Sequence, residues 1–140
     1  MASIPQNPGY LSDLHSKTAI ITGGAGGIGA ETVRLFHEHG ANVVIADLPF
    51  ARASAELLVA SLSSRVVFIP TDISDWKSML SLFAQAKKKF GTIEIVVANA
   101  GLMETRHFYD FELDESGDLK ESIESSTVID VNLKGTMNSL

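Results

Sequence analysis

Cysteine is absent from all 140 residues of the chain. Its absence excludes disulfide bonds, thiolate metal sites and a catalytic thiol within these residues. Histidine is scarce, with four residues, and none has a partner at the spacing of metal ligands. His37 and His39 are two positions apart, so on a helix they would face different directions. The sequence therefore predicts no metal site.

Basic residues and long apolar runs are also in short supply. Lys and Arg number 11 against 17 Asp and Glu, and the resulting net charge of −6 offers no basic surface for nucleic acid. No apolar run approaches the roughly 20 residues that cross a bilayer. The first 17 residues lack the continuous apolar core of a secretory signal. We therefore expect a cytoplasmic protein that binds neither nucleic acid nor membrane.

Short runs rich in Val and Ile alternate with longer amphipathic stretches, as in a parallel sheet with helical crossovers. Gly40 and Gly91 mark the expected ends of two helices, and Ser74 is the expected N-cap of the third helix. The predicted strands are 18–21, 42–46, 66–69 and 93–98, each buried on both faces, and the predicted helices are 28–39, 51–62, 75–90 and a last stretch over about 121–140.

The alternation predicts an α/β protein of Rossmann type, with a doubly wound parallel sheet of about four strands in the order β-α-β-α-β-α-β-α. We expect residues 1–16 to be an N-terminal extension and residues 17–140 to form a dinucleotide-binding domain. Apolar residues cover more than one face of the last helix, and we expect the fourth strand to have an unpaired edge. The domain is therefore expected to be incomplete within these residues, and the last helix is a candidate surface for homo-oligomers.

A glycine-rich turn follows the first predicted strand. Residues 22–29 read Thr-Gly-Gly-Ala-Gly-Gly-Ile-Gly, and a helix is predicted to begin there. Glycines at this position let the backbone approach a ligand closely, and the free N–H groups of the helix favour a pyrophosphate. No Lys-Ser or Lys-Thr follows, which excludes a nucleoside-triphosphate P-loop. Asp47, eighteen residues after Gly29, is placed to accept hydrogen bonds from a ribose. This carboxylate favours NAD, while the nearby Arg52 keeps NADP as an alternative.

The segment 104–124 holds eight of the 17 acidic residues. One interpretation is a solvated excursion on the surface. The other is a rim that repels anionic substrates. The sequence leaves both interpretations open.

Four motifs in this order resemble the short-chain dehydrogenase/reductase family over residues 17–140. They are the glycine pattern Thr22-Gly23-x-x-x-Gly27-x-Gly29, Asp72 after the third strand, Asn99-Ala100-Gly101 after the fourth, and Val-Asn-Leu-Lys-Gly at 131–135. The resemblance implies NAD or NADP as cofactor and a small-molecule alcohol or carbonyl substrate, with a secondary-metabolic or sterol-like alcohol fitting as well as any other. The cofactor-binding residues that it implies, together with those of the turn, are Gly23, Gly27, Ile28, Gly29, Asp47, Asp72, Ile73, Asn99, Ala100, Gly101 and Lys134.

Catalysis in this family uses an Asn, a Ser, a Tyr and a Lys, of which the resemblance assigns only Asn132. Tyr10 and Tyr109 are the two tyrosines, and a leucine stands four residues after each of them. No Tyr-x-x-x-Lys is therefore present, and the 140 residues alone are expected to be inactive. Two hypotheses stay open: an oxidoreductase completed by a further segment or a second chain, and a non-catalytic relic or dinucleotide-binding module that acts by association. A methyltransferase-like domain is disfavoured by the spacing of the glycines.

Overall fold

The core of the molecule is a four-stranded parallel sheet. The computed structural model describes residues 9–62, 64–105 and 111–140. The strands lie in the order β3-β2-β1-β4, and every pairing is parallel. Their bounds are Thr18–Thr22 for β1, Asn42–Asp47 for β2, Val66–Pro70 for β3 and Ile95–Val97 for β4. The predicted α/β class and the number of strands are thereby confirmed.

Helices connect the strands and complete the chain. A 3₁₀ turn at Pro49–Ala51 precedes α3, and a π-helical turn at Asp130–Gly135 joins α5 to α6. No helix within the described ranges is long and apolar enough to cross a membrane. The helices are α1 (Gly9–Ser12), α2 (Gly27–Glu38), α3 (Arg52–Leu62), α4 (Trp76–Phe90), α5 (Ile123–Ile129) and α6 (Thr136–Asn138).

Both faces of the sheet are covered, because successive side chains of a strand point to opposite faces. Ile21 and Ile45 pack with α2 and α3, whereas Ile20 and Val44 pack with α4. All four side chains are fully buried. Each stabilises the fold by about 1.5–3 kcal/mol relative to an exposed position. This burial on two faces explains why β1 and β2 are continuous apolar runs without polar alternation.

Two predicted helix ends differ from the structure. The N-cap of α4 is Asp75 and not Ser74, because the Asp75 carboxylate accepts hydrogen bonds from the backbone N–H groups of Lys77 and Ser78. Ser74 instead donates its hydroxyl to Asp72. At the end of α2 the C-cap is His39, and Gly40 follows it in the left-handed region with φ +87°. Gly40 therefore lies just after the cap, where such a conformation ends a helix.

The C-terminal third departs furthest from the prediction. Strand β4 covers three residues and not 93–98, and its side chains are half-buried where two buried faces were expected. Its pairing partner in the described sheet is β1 alone, which bears out the expected open edge. The single helix predicted over about 121–140 begins at Ile123 and is interrupted by the π-helical turn. Much of its apolar surface is exposed, including Ile129, Leu133, Met137 and Leu140.

The strand order creates a crevice at one edge of the sheet. From β1 the chain moves outward through β2 to β3, and then returns to the other side of β1 to form β4. The connections on the two sides of β1 therefore diverge at the carboxyl ends of β1 and β4. In open α/β sheets this switch point is where ligands bind.

Glu94 joins the amino ends of β1 and β4. Its Oε2 accepts a hydrogen bond from Thr18 N at 2.8 Å, and its own N–H donates to Thr18 O at 3.0 Å. The hydrogen bond from the Thr92 hydroxyl, and then that from Thr18, hold the pKa of the Glu94 carboxyl below its ordinary value of 4.5. The ionised form is therefore the one that the fold stabilises.

Replacing Glu94 by Gln is expected to lower the melting temperature by an amount that depends on pH. A depressed carboxyl pKa contributes stability above pH 4.5, and this contribution is lost as the pH falls through the lower pKa of the folded state. The difference between wild type and Glu94→Gln should therefore be largest at pH 5–7 and vanish in stronger acid. Melting curves followed by circular dichroism from pH 2.5 to 7 measure it. A difference that grows on acidification would contradict the assignment.

Candidate functional site

The glycine turn is folded tightly against the end of the sheet. Gly23 has φ +64°, a conformation that side-chain-bearing residues avoid, and its N–H donates to Ala46 O at 2.8 Å. A Cβ atom at Gly23 would lie 2.9 Å from Ala100 Cα. A Cβ atom at Gly29 would lie 2.1 Å from Gly23 O and 2.7 Å from Asn99 Nδ2. These two glycines are therefore required by close packing between backbone segments.

The other end of the turn is open. A Cβ atom at Gly26 or at Gly27 would meet nothing within 4 Å. Gly26 is the N-cap of α2 and supplies no side-chain hydrogen bond to the helix. The first N–H groups of a helix have no partner within the helix, and the positive end of the helix dipole lies there. The space that two side chains would occupy is thus a backbone-lined cradle that fits a pyrophosphate.

Asp47, at the carboxyl end of β2, fixes the position of this turn. Its Oδ2 accepts from Ala25 N at 2.9 Å, and its Oδ1 accepts from Leu48 N at 2.8 Å. An ionised carboxylate offers about four acceptor positions, so these two bonds leave capacity for the hydroxyls of a ribose. The same side chain can therefore hold the turn and bind a sugar.

A hydrogen-bond network centred on Thr22 closes the gap between β1 and β4. The buried Thr22 hydroxyl accepts from Asn99 N and Ala100 N, both at 3.0 Å, and donates to Val97 O at 3.3 Å. The Asn99 amide donates to Thr22 O at 2.9 Å and to Gly23 O at 3.3 Å. The segment after β4 is therefore held directly beside the glycine turn.

Asn132 lies in the π-helical turn and clamps the chain after β4. Its Oδ1 accepts from Leu102 N at 2.9 Å, and its Nδ2 donates to Leu102 O at 2.8 Å. Both polar groups of the side chain are thus bound to one backbone residue. A Cβ atom at Gly101 would lie 3.1 Å from Asn132 Oδ1, so the adjacent glycine allows this approach.

Changing Asn132 to Ala is expected to lower the free energy of unfolding by about 1–3 kcal/mol, because two hydrogen bonds to Leu102 are lost. Hydrogen exchange of the Leu102 amide should accelerate with it. In Asn132→Asp a carboxylate would face Leu102 O, which raises its pKa in the folded state. The stability of this variant should therefore rise as the pH falls, when the protonated acid can donate. Unchanged exchange at Leu102 in both variants would refute the clamp.

Comparison with known proteins identifies this arrangement. A family model described as short chain dehydrogenase matches residues 17–140. The chain belongs to the short-chain dehydrogenase family. Curated relatives of this chain include a short-chain dehydrogenase/reductase of Acremonium egyptiacum, 37% identical over 139 residues, which are 98% of this chain and 44% of the relative. (+)-Borneol dehydrogenase 1 of Salvia officinalis is 42% identical over 91 residues, which are 65% of this chain and 34% of the relative.

Solved structures also resemble the chain. A 3-ketoacyl-(acyl-carrier-protein) reductase from Brucella melitensis, complexed with NADH, superposes with a TM-score of 0.74 at 28% identity. The match covers 90% of this chain and 48% of that structure. The chain spans between about a third and a half of the length of the relatives described here.

The remaining predicted site residues differ in burial and in hydrogen bonding. Asp72 is half-buried, and its Oδ1 accepts from both the N–H and the hydroxyl of Ser74. The Ile73 side chain is buried against Gly135, so only its backbone could meet a ligand. Lys134 is exposed in the π-helical turn. Ile28 is exposed beside the cradle.

The carboxyl ends of the four strands bring most of the predicted residues to one edge of the sheet. Three supporting contacts were missed from the sequence: the Thr22 hydroxyl network, the Ala25 amide on Asp47, and the Asn132 clamp on Leu102. Thr22 stands at the start of the glycine motif, and a polar side chain at the end of an apolar strand was the available signal. The other two depend on tertiary contacts.

A groove of about 950 Å³ runs from the glycine turn between α2 and α3. Residues 25–28 of the glycine turn line one end of this groove, and the Glu31–Arg34 ion pair lies on its wall. We place the functional site at the carboxyl edge, where the cradle and Asp47 meet. Within the ranges that the structure describes, no group of three or more His, Cys, Asp or Glu side chains could hold a metal ion.

Proposed function

We propose that this chain is the dinucleotide-binding part of an NAD-dependent oxidoreductase that acts on a small-molecule alcohol or its carbonyl counterpart. The observation that carries the proposal is the open cradle at Gly26 and Gly27, tied by Asp47 to the carboxyl end of β2. Membership of the short-chain dehydrogenase family supports oxidoreductase chemistry. The resemblance to a reductase complexed with NADH supports a nicotinamide dinucleotide.

In this proposal different residues of the carboxyl edge bind different parts of the cofactor. The turn from Gly23 through Gly27 and Ile28 to Gly29 holds the pyrophosphate with its N–H groups. Asp72 and the backbone of Ile73 flank the adenine, and Asn99, Ala100 and Gly101 shape the pocket of the nicotinamide ribose, with Lys134 as an exposed neighbour. The bound cofactor supplies hydride transfer.

The choice of NAD over NADP follows from charge. The Asp47 carboxylate would repel a phosphate on the adjacent ribose, because two anions in contact are strongly unfavourable. Arg52 is the nearby cation that could compensate, but it forms an ion pair with Glu56 at 3.1 Å and stacks over the Phe68 ring at 5.4 Å. Recruiting it to a phosphate would break both contacts. These observations favour NAD.

Asn132 acts in this proposal by holding the chain after β4, next to the nicotinamide end. Proton transfer to or from the substrate needs a Ser and a Tyr-x-x-x-Lys, and the 140 residues contain no such Tyr-Lys pair. We infer that a further segment or a second chain supplies them, and that these residues alone bind cofactor without turnover. A cytoplasmic location and a homo-oligomer through the exposed apolar residues of α5 and α6 belong to the same proposal.

Titration with NADH tests the proposal directly. Bound NADH is expected to show enhanced fluorescence with saturable binding, and no oxidation of alcohols by the 140 residues alone. Gly26→Ala should lower the melting temperature by only a few degrees, since its Cβ meets nothing within 4 Å, while it weakens NADH binding by about tenfold or more because a methyl group enters the cradle. Equal NADH affinity in wild type and Gly26→Ala would show that the cradle does not bind the cofactor.

A further inference from the structure

The acidic segment after β4 contains an ordered β-hairpin. Leu113 and Leu119 form an antiparallel bridge, Lys120 N donates to Glu112 O at 2.8 Å, and Asp114 N donates to Asp118 O at 2.8 Å. Gly117 closes the turn with φ +84°, a conformation that glycine adopts without strain. We call residues 111–120 the acidic hairpin.

Alternation divides the acidic hairpin into two faces. Side chains along a strand alternate, so Phe111, Leu113 and Leu119 share one face, and Glu112, Asp114, Asp118 and Lys120 share the other. The three apolar side chains are 71%, 59% and 68% exposed. A two-stranded hairpin gains little stability from an uncovered apolar face, so this face is a candidate contact surface.

Contacts on either side of the acidic hairpin tie its base to the segment after β4 and to the start of α5. Before the hairpin, Thr105 donates its N–H and its hydroxyl to the Glu124 carboxylate at the start of α5. Three residues earlier, Leu102 is clamped by Asn132. Glu124 precedes Asn132 by eight helical residues, which is about 12 Å along the helix. The base of the hairpin at Glu124 therefore lies about 12 Å from Asn132 along the helix.

We propose that the apolar face of the acidic hairpin forms a wall of the substrate pocket and selects substrates with an apolar body and no negative charge. The inference rests on the proposed function, because it uses the position of the nicotinamide end. The apolar face of the hairpin would contact the part of the alcohol or carbonyl compound that does not react. Apolar contact with the leucine pair would hold that part over the crevice.

Charge supplies the second half of the selection. Five carboxylates and one ammonium lie within residues 111–121. They lie within about one Debye length of the apolar face, which is about 8–10 Å in ordinary buffers. A substrate carboxylate or phosphate would therefore be repelled, while a neutral or cationic substrate would not. Of the two interpretations of the acidic segment, these observations favour the repelling rim.

Methyl NMR tests the proposal with a matched pair of probes. Cyclohexanol and cyclohexanecarboxylate share one ring and differ in charge. Each is titrated into the protein with NAD⁺ bound, and the leucine methyl resonances are followed, with Leu113 and Leu119 assigned through Leu113→Met and Leu119→Met. We expect cyclohexanol to shift both sets of methyl resonances at a concentration at least about threefold lower than cyclohexanecarboxylate.

Two charge variants separate local from general electrostatics. Glu115→Gln with Glu121→Gln removes two carboxylates beside the apolar face and should reduce the difference between the probes. Asp13→Asn with Glu38→Gln makes the same change of charge near the amino ends of β1 and β2 and should leave the difference intact.

The outcomes distinguish this inference from the proposed function. If NAD⁺ shifts the amides of the glycine turn but neither probe shifts Leu113 or Leu119, the wall is refuted and the proposed function stands. If both probes act at equal concentration, or if the distant variant has the same effect as the local one, the selection by charge is refuted. If NAD⁺ does not bind, both proposals fall.

Discussion

Replacing Gly29 by Ala is expected to destabilise the domain by about 3 kcal/mol or more and to abolish NADH binding. The added Cβ atom would lie 2.1 Å from Gly23 O and 2.7 Å from Asn99 Nδ2. The first of these contacts is with backbone that is itself fixed by the hydrogen bond from Gly23 N to Ala46 O. The turn must therefore open, and the network that joins β1 to β4 opens with it. Urea denaturation followed by circular dichroism measures the loss.

Gly26→Ala is the matched control for this result, since the same methyl group is added three residues earlier in open space. Gly26 has φ −155°, which any residue adopts, so the free energy of unfolding should change by less than about 1 kcal/mol. Gly29→Ala thus tests a glycine that packing requires, whereas Gly26→Ala tests a glycine that only the ligand requires. Equal unfolding free energies for Gly29→Ala and wild type would show that the turn is not packed as described.

Changing Asp47 to Asn is expected to weaken NADH binding by about tenfold and to reduce the preference for NADH over NADPH by a further factor of about ten or more. The neutral amide loses its repulsion of a ribose phosphate. It also loses one of the two hydrogen bonds from Ala25 N and Leu48 N, because an amide has one acceptor atom where the carboxylate has two. Dissociation constants for both cofactors, measured by fluorescence, give the two effects.

Asp75→Asn provides the control for the charge itself. Asp75 caps α4, and asparagine is an equally good N-cap, so the fold should be unaffected while one negative charge is removed from the same half of the molecule. Its ratio of NADH to NADPH affinity should match that of wild type. If Asp47→Asn keeps the wild-type ratio as well, the carboxylate at the end of β2 does not select the cofactor.

The alternation of strands and helices was predictable because burial on both faces leaves a strong pattern in the sequence. Ile20 and Ile21 point to opposite cores, and only a continuous apolar run satisfies both. Helix ends were less predictable, since Ser74 and Asp75 are both good N-caps and the Ser74 hydroxyl is bound to Asp72 instead. Strand β4 was predicted to be too long because Ile93 and Ala98 are apolar but lie outside its pairing with β1.

The candidate site was partly predictable for a similar reason. Glycines that must admit a ligand or a neighbouring backbone have no substitute, so Gly23 and Gly29 stand out in the sequence. The clamp of Asn132 on Leu102 joins positions 30 residues apart, and neither periodicity nor spacing reports such a contact. The hairpin was not predicted because high charge in a long connection is typical of a solvated loop. The alternation of Phe111, Leu113 and Leu119 with acidic residues was nevertheless a sign of strand structure.

The most direct test of the dinucleotide site is an amide NMR titration of the protein with NADH. Binding at the carboxyl edge is expected to give the largest shifts at the N–H groups of residues 25–29 and of Asp47 and Leu48, with smaller shifts at 99–102. Little change is expected at Thr32 and Ser61, which line the groove between α2 and α3. Shifts confined to Thr32, Ser61 and their neighbours between α2 and α3, or none at the glycine turn at saturating NADH, would contradict the assignment of this edge as the cofactor site.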